Sequence, residues 1–363
     1  MSDNLTRYFA IQKALRQLRP SEPKGNVARH LNTLAFMIAG LIGAQKCHLP
    51  AIARKAPVGG KPQSRIRRME RFLANDQIDT QTYYLPYLLL VLHSLPQGPL
   101  TVIIDGSQAG RNCVLLSINV VYKKRALPLC WTIVKGKKGH LPETTHIELV
   151  QKLAQLLPEG RAIVFLGDGE FDGCDLLATL ATLGWNYVCR TAKNVVLLEE
   201  GNRFQPTDLM LAVGDKIELP AVAFTEAEYG PVLVCILWEA PWKEPLLLVS
   251  NLDFLEEAVG WYKKRFGIET FFSDQKSRGF YLEHSHISDT SHLDRLVIAL
   301  FLAYLWVVCL GAWVVRTGRL PLIHRTDRCD WSLFHIGLAW IDHCLNEGWP
   351  ITVRFKVPRE GPT

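Results

Sequence analysis

Apolar positions recur at helical intervals through Trp261 to Lys276, WYKKRFGIETFFSDQK. At about 100° per residue Trp261, Ile268, Phe271 and Phe272 fall on one side of a helix, and Tyr262, Arg265, Glu269 and Lys276 share an arc of roughly 60° on the other. A narrow polar stripe of mixed charge is either a solvated face or a working one. Upstream the period shortens to that of strands. Thr101 to Asp105, Asn112 to Tyr122 and Ala126 to Val134 predict three strands joined by short links, an antiparallel meander. A helix over Glu143 to Leu157, a strand over Ala162 to Asp168, a helix over Cys174 to Leu183 and a strand over Asn186 to Arg190 follow. The chain is therefore expected to be α/β, with Asp105 and Asp168 closing two adjacent central strands, each followed by glycine.

Helices are expected on both sides of this unit. Before it, residues 4–20 predict a basic helix with Leu5, Phe9, Leu15 and Leu18 near one face, and His30 to Gln45 a more apolar one. Leu49 to Lys55, a turn from Pro57 to Pro62, and Ser64 to Asn75 give a helix, turn, helix pattern, with Ser64 as cap. In the last helix Ile66, Met69, Phe72 and Leu73 are expected to pack, and Arg65, Arg67, Arg68 and Arg71 to coat the outside. A further helix over residues 77–98 is kinked by Pro86. Between Asp168 and Glu269, glycines and prolines punctuate β-like runs such as Val232 to Trp238 and Pro245 to Ser250, which predicts an inserted β-rich segment. The boundaries expected are 1–76, a helical DNA-binding domain; 77–99, a linking helix; 100–193 and 251–318, the two parts of the catalytic domain; 194–250, the insertion; and 319–363, a helical tail.

Composition adds little until charge is divided along the chain. Residues 1–76 hold 14 Lys/Arg against 4 Asp/Glu, a net of +10, leaving 27 against 31, or −4, for the rest. A basic N-terminal region beside a near-neutral body suggests a polyanion-binding segment attached to a catalytic one. Arginines on the Ser64 helix can pair with phosphates or read guanine edges, although a solvated basic face would look the same. Nine scattered cysteines without a CxxC pair point to reduced thiols, and the N-terminus lacks the pattern of a signal peptide, so a cytosolic protein is expected. Val297 to Val315 is a run of 19 residues without a charge, long enough to span a bilayer; a buried central helix is equally apolar and is the reading preferred here.

Two aspartates at strand ends and a glutamate on a later helix supply the oxygen ligands that magnesium requires. Two Mg²⁺ ions about 4 Å apart activate a hydroxyl and neutralise a leaving oxygen in phosphodiester cleavage. In that arrangement Asp105 bridges the ions and Asp168 and Glu269 each hold one, while Tyr262, Arg265 and Lys276 meet phosphate oxygens. Glu170 and Asp172 stand close to Asp168 and are rivals for its role. A DNA contact at His140 is a weaker suggestion.

The spacing Tyr262-x2-Arg265-x3-Glu269-x6-Lys276 resembles the Y-R-E-K signature of DDE transposases of the insertion-sequence 4 type. Asp105 in IIDGS is similar to that family's first aspartate, and Asp168 in GDGEFDG to its second. The resemblance covers roughly residues 100–315. It implies an RNase H-like catalytic domain with a β-strand insertion, cleavage of DNA at the terminal inverted repeats of an insertion sequence, and attack of the freed 3′-hydroxyl on target DNA. Mg²⁺, with Mn²⁺ able to replace it, and a homodimeric synaptic complex in a bacterial cytoplasm go with it, and no membrane. In relatives the insertion can supply a tryptophan that captures a flipped base; Trp238 and Trp242 match no motif and are expected in the core. The alternatives are a metal-dependent nuclease of the same fold without joining activity, an inactive DNA-binding relative, and a single-span membrane protein.

Overall fold

The computed structural model describes residues 2–358 except 58, 59, 140, 159, 326 and 329. His140 and part of the Pro57 to Pro62 turn therefore lie outside the described residues. The chain opens with helices α1 (Asp3–Gln17), α2 (Gly25–Ala44), α3 (Leu49–Lys55), α4 (Pro62–Leu73), α5 (Thr80–Tyr83) and α6 (Leu85–Ser94). Two details differ from expectation. In α1 the buried apolar residues are Tyr8, Ile11 and Leu15, which share an arc of about 60° at helical spacing, while Phe9 lies outside it and is exposed. In α4 the helix begins at Pro62, whose fixed backbone angle suits the first turn, so Lys61 and not Ser64 is the cap residue. Pro86 does interrupt the next helix: the chain breaks at Tyr84, between α5 and α6.

The α/β unit follows as β1 (Leu100–Ala109), β2 (Cys113–Tyr122), β3 (Arg125–Lys135), α7 (Glu143–Ala154), β4 (Ile163–Gly167), α8 (Cys174–Thr182) and β5 (Asn186–Arg190). The later strands are β6 (Leu197–Glu199), β7 (Asn202–Phe204), β8 (Lys216–Phe224), β9 (Tyr229–Leu237) and β10 (Leu246–Ser250). Among the described residues all of them belong to one mixed sheet of 10 strands, in the order β3-β2-β1-β4-β5-β10-β9-β8-β6-β7. The β-rich insertion is thus the far half of the central sheet, joined through antiparallel β10 and β5, where Val249 pairs with Cys189. Trp238 and Trp242 lie beyond the end of β9 and outside the core, contrary to expectation; Trp242 is 36% exposed, and its carbonyl accepts from Trp238 Nε1 at 3.1 Å.

Helices cover both faces of the sheet. Neighbouring residues of β3 show it: Cys130 Sγ reaches Leu149 O of α7, at 3.8 Å, while Trp131 stacks edge-on against Phe301, 4.9 Å between ring centres, and donates to Asp294 at 2.6 Å. Phe301 and Asp294 belong to α11 (Thr290–Arg316), which follows α9 (Leu255–Tyr262) and α10 (Gly267–Gln275). Every residue of α11 from Leu296 to Ala312 is buried. Both α2 and α11 are long and apolar enough to cross a membrane, yet the apolar window of α11 is 94% buried inside this fold. It touches β3, α2, α4, α5 and the last helix, α12 (Leu333–Asn346). The approach to α12 is close: a Cβ at Gly311 would stand 1.9 Å from Leu333 O, and one at Gly337 2.0 Å from Val307 O. The eight described cysteines are free, seven of them buried.

Candidate active site

β1 pairs with β4 in parallel only from Leu100 with Ile163 to Ile103 with Leu166. Two residues further along each chain stand Asp105 and Asp168. Their routes then diverge. β1 does not end at Asp105, as its glycine suggested, but runs on to Ala109 paired with β2, where Asp105 faces Ser117. β4 ends at Gly167, and the chain turns back on itself, Phe171 N donating to Asp168 O at 3.0 Å. Gly167 permits the turn, since a Cβ there would meet Phe171 Cβ at 2.7 Å. The parting of the strands opens a crevice at the carboxyl end of a parallel pair, the usual ligand position in α/β sheets.

Asp105 is buried, 5% exposed, and its charge is matched by two cations. Lys138 Nζ donates to Oδ1 at 2.8 Å, Gly106 N donates to the same oxygen at 2.7 Å, and Arg265 Nη1 stands 3.6 Å from Oδ2. Burial pushes the Asp105 carboxyl above its usual range, Lys138 pulls it back, Asp168 adds to the rise and Arg265 opposes it. Asp168 Oδ1 accepts from Glu170 N at 3.0 Å, which shapes the turn. With Lys138, Glu170, Arg190 and Arg265 it lines a cavity of about 640 Å³.

The signature stretch is bent where an even helix was expected. Between α9 and α10 the residues Lys263–Phe266 form a 3-10 turn, so the polar stripe does not stay in one arc. Tyr262 is buried, with the Arg265 guanidinium 5.8 Å above its ring. Burial raises the Tyr262 hydroxyl, opposed by Arg265 and Arg190. Glu269 lies in the first turn of α10 with its side chain 57% exposed, and Arg265 Nη2 lies 3.8 Å from its Oε1. Arg265 therefore stands between Asp105 and Glu269. Lys276 is the C-cap of α10, and among the described residues no ion pair ties it to Asp105, Asp168 or Glu269. The opposite side packs as expected, with Ile268, Phe271 and Phe272 buried.

Among the described residues no three His, Cys, Asp or Glu side chains stand close enough together to hold a metal ion as they are. Asp105 and Asp168 approach one another, and Glu269 is held one guanidinium away. The donor set still fits a hard divalent cation. It is all oxygen, its buried member already faces two compensating cations, and the side chains of Lys138 and Glu269 are 46% and 57% exposed.

Two contacts escape sequence reasoning. Lys138 sits in a loop with no periodicity, and only the basic run Lys135 to Lys138 hinted at it. Asp274, on α10, is buried against Arg125 at the start of β3, Oδ2 to Nη1 3.1 Å, and ties the glutamate helix to the sheet. Burial lifts its carboxyl to about 6 despite Arg125 and Arg278.

The arginines of α4 divide into two pairs. Arg65 donates to Ala53 O and Ala56 O at 3.1 and 3.3 Å, and Arg68 donates to Thr33 Oγ1 at 3.1 Å while covering the Phe36 ring. Arg67 and Arg71 are exposed and line a groove of about 970 Å³ with Ser64, His286, Ser288 and His292.

The sequence matches the family described as Transposase DDE domain over residues 97–306. No curated protein matches it. Two solved structures show partial likeness. A piggyBac transposase synaptic complex with hairpin DNA is 12% identical, with 99% of this chain and 77% of that one covered at a TM-score of 0.45. Endonuclease V of Ciona intestinalis, in complex with a 24mer DNA containing an inosine followed by a ribo-adenosine, is 15% identical, with 49% and 85% covered at 0.31. Overlaps this low carry nothing about the chemistry.

Proposed function

The chain belongs to the family of transposase DDE domains, and from that premise we propose that it cleaves the ends of an insertion sequence and joins the 3′-hydroxyl to target DNA. The observation that carries this reading is the level placement of Asp105 and Asp168 where β1 and β4 part, with Glu269 across Arg265. The order β3-β2-β1-β4-β5, with β1, β4 and β5 running parallel, supports an RNase H-like core. The spacing of Tyr262, Arg265, Glu269 and Lys276 supports the insertion-sequence 4 type.

Asp105, Asp168 and Glu269 would hold two Mg²⁺ ions, or Mn²⁺ in their place. When bound, such ions supply a deprotonated oxygen nucleophile and neutralise the leaving oxygen. The chain's own residues do the rest. Arg265, braced by Tyr262, keeps Asp105 and Glu269 facing one another and offers donors to a phosphate drawn between them. Lys138 balances the Asp105 charge until DNA and cations arrive. Arg67 and Arg71, on an open groove, contact the backbone of the terminal repeat, with Lys276 a further phosphate contact. Arg65 and Arg68 hold the helix that presents them. Catalysis by a homodimer in a synaptic complex, in a bacterial cytoplasm and on the nucleoid when DNA-bound, belongs to the same reading.

The test is Asp105→Asn, Asp168→Asn and Glu269→Gln, each assayed for cleavage and for end binding. All three should lose cleavage and keep binding; cleavage retained in all three rejects the assignment. Incubating pre-cut ends with plasmid and Mg²⁺ should yield joined products, and hydrolysis alone would make the protein a nuclease of the same fold.

A further inference from the structure

The turn after β4 carries an acid with no part in the chemistry so far. Glu170, unlike Asp172, lines the crevice together with Asp168, Lys138 and Arg265, and its side chain is only 15% exposed. Facing it is His146 of α7, whose side chain is 3% exposed. Among the described residues the imidazole Nε2 has no hydrogen-bond partner, and it stands 4.0 Å from Glu170 Oε1.

A buried imidazole nitrogen without a partner is costly and uncommon. The ring is not loosely placed: it packs against Phe171, 4.7 Å between centres. One turn earlier on α7, Glu143 Oε1 accepts from Leu176 N at 2.8 Å and fills the space that a Cβ at Gly173 would take. The first turns of α7 therefore grip the turn after β4 at both ends, and the unspent His146 Nε2 in that grip faces Glu170. Carboxylates that bind metal are commonly fixed by a hydrogen bond from behind. Closing the gap to the about 2.8 Å of a charge-assisted bond would satisfy the imidazole and set the other Glu170 oxygen toward the crevice.

We propose that Glu170 is a further carboxylate of the divalent-cation site and that His146 is its positioning residue, donating from Nε2 to one Glu170 oxygen. This rests on reading the crevice as a metal site, so the experiment separates the two. Mn²⁺ binding to the full chain, without DNA, is measured by calorimetry and by the electron paramagnetic resonance of the free ion. Asp105→Asn reports on the site itself, and exposed Glu148→Gln serves as a control. Glu170→Gln should weaken Mn²⁺ binding at least about 10-fold, and His146→Ala by about 10-fold, as loss of a supporting hydrogen bond does. His146→Gln, whose amide nitrogen reaches the place of Nε2, should recover most of that loss, which a merely space-filling histidine would not predict.

If Asp105→Asn loses Mn²⁺ while Glu170→Gln binds it as wild type does, the proposal fails and the metal site stands. If Asp105→Asn also binds normally, the metal reading fails and the proposal with it. Should Glu170→Gln not fold, judged by its melting curve, Glu170→Ala is read by the same outcomes.

Discussion

Arg265 Nη1 lies 3.6 Å from Asp105 Oδ2 and, though buried, makes no hydrogen bond among the described residues. It is an ion pair held short of full contact, while the other end of the same guanidinium faces Glu269 at 3.8 Å. A cation so placed is free to take a phosphate oxygen. Arg265→Ala should lower cleavage by about 10²-fold or more, the size of a lost transition-state donor, with end binding little changed. Arg265→Lys should recover little, because an ammonium cannot face two carboxylates as a fork does. Single-turnover cleavage beside a binding titration checks both, and a loss confined to binding would contradict it.

The buried Asp105 carboxyl faces two cations, Lys138 and Arg265. Divalent cations that bind the folded site alone should stabilise the wild type, by about 2.7 kcal/mol at a hundred times the dissociation constant. Asp105→Asn should melt at the same temperature with or without Mg²⁺. Melting curves in Mg²⁺ and in chelator decide it.

Asp274 predicts a pH dependence. Its folded carboxyl is raised to about 6 from 3.8, so the fold favours the protonated form. Its contribution is complete below about pH 4 and is lost as pH rises through about 6. The stability of wild type minus that of Asp274→Asn should therefore fall between pH 4 and 6 by up to about 1.4 kcal/mol per unit. Denaturant titrations at several pH values measure it, and a difference that stays constant across that window would show that burial does not hold the proton.

The two arginine pairs of α4 should behave differently. Arg67→Ala and Arg71→Ala should weaken DNA binding and lower the salt slope by about one for each phosphate left without its arginine, with the melting temperature unchanged. Arg65→Ala and Arg68→Ala should cost about 1 to 3 kcal/mol of stability, because each leaves acceptors in the α2–α4 packing unpaired. Binding titrations over a range of salt, with melting curves alongside, separate the two effects.

What could be read in the chain beforehand was whatever a local pattern encodes. The apolar runs before Asp105 and Asp168 fall in β1 and β4, and their glycines marked the right place, although only Gly167 and Gly169 border a true strand end. Gly106 misled because β1 keeps its partner β2 after parting from β4, and pairing of that kind leaves no trace in one strand's own residues. The same holds for the insertion: β8 and β9 look like strands from their sequences, but that they extend the central sheet depends on β10 finding β5. The contacts of Lys138 with Asp105 and of Arg125 with Asp274 were hidden because each joins residues more than thirty positions apart through a loop.

The buried run of α11 is covered on one side by β3, in the sheet whose β1 carries Asp105, and on another by α2 and by α4, the helix of the groove arginines. Cys47 N donates to Phe280 O, and Arg295 to Leu73 O, across the same seam. Cutting the chain after residue 76 would therefore strip a greasy rod bare and leave each fragment sticky and poorly folded. Dissection into a binder and a cutter should fail, and on the function proposed above an end sequence held by α4 would have a stiff mechanical link, through one rod, to the acids.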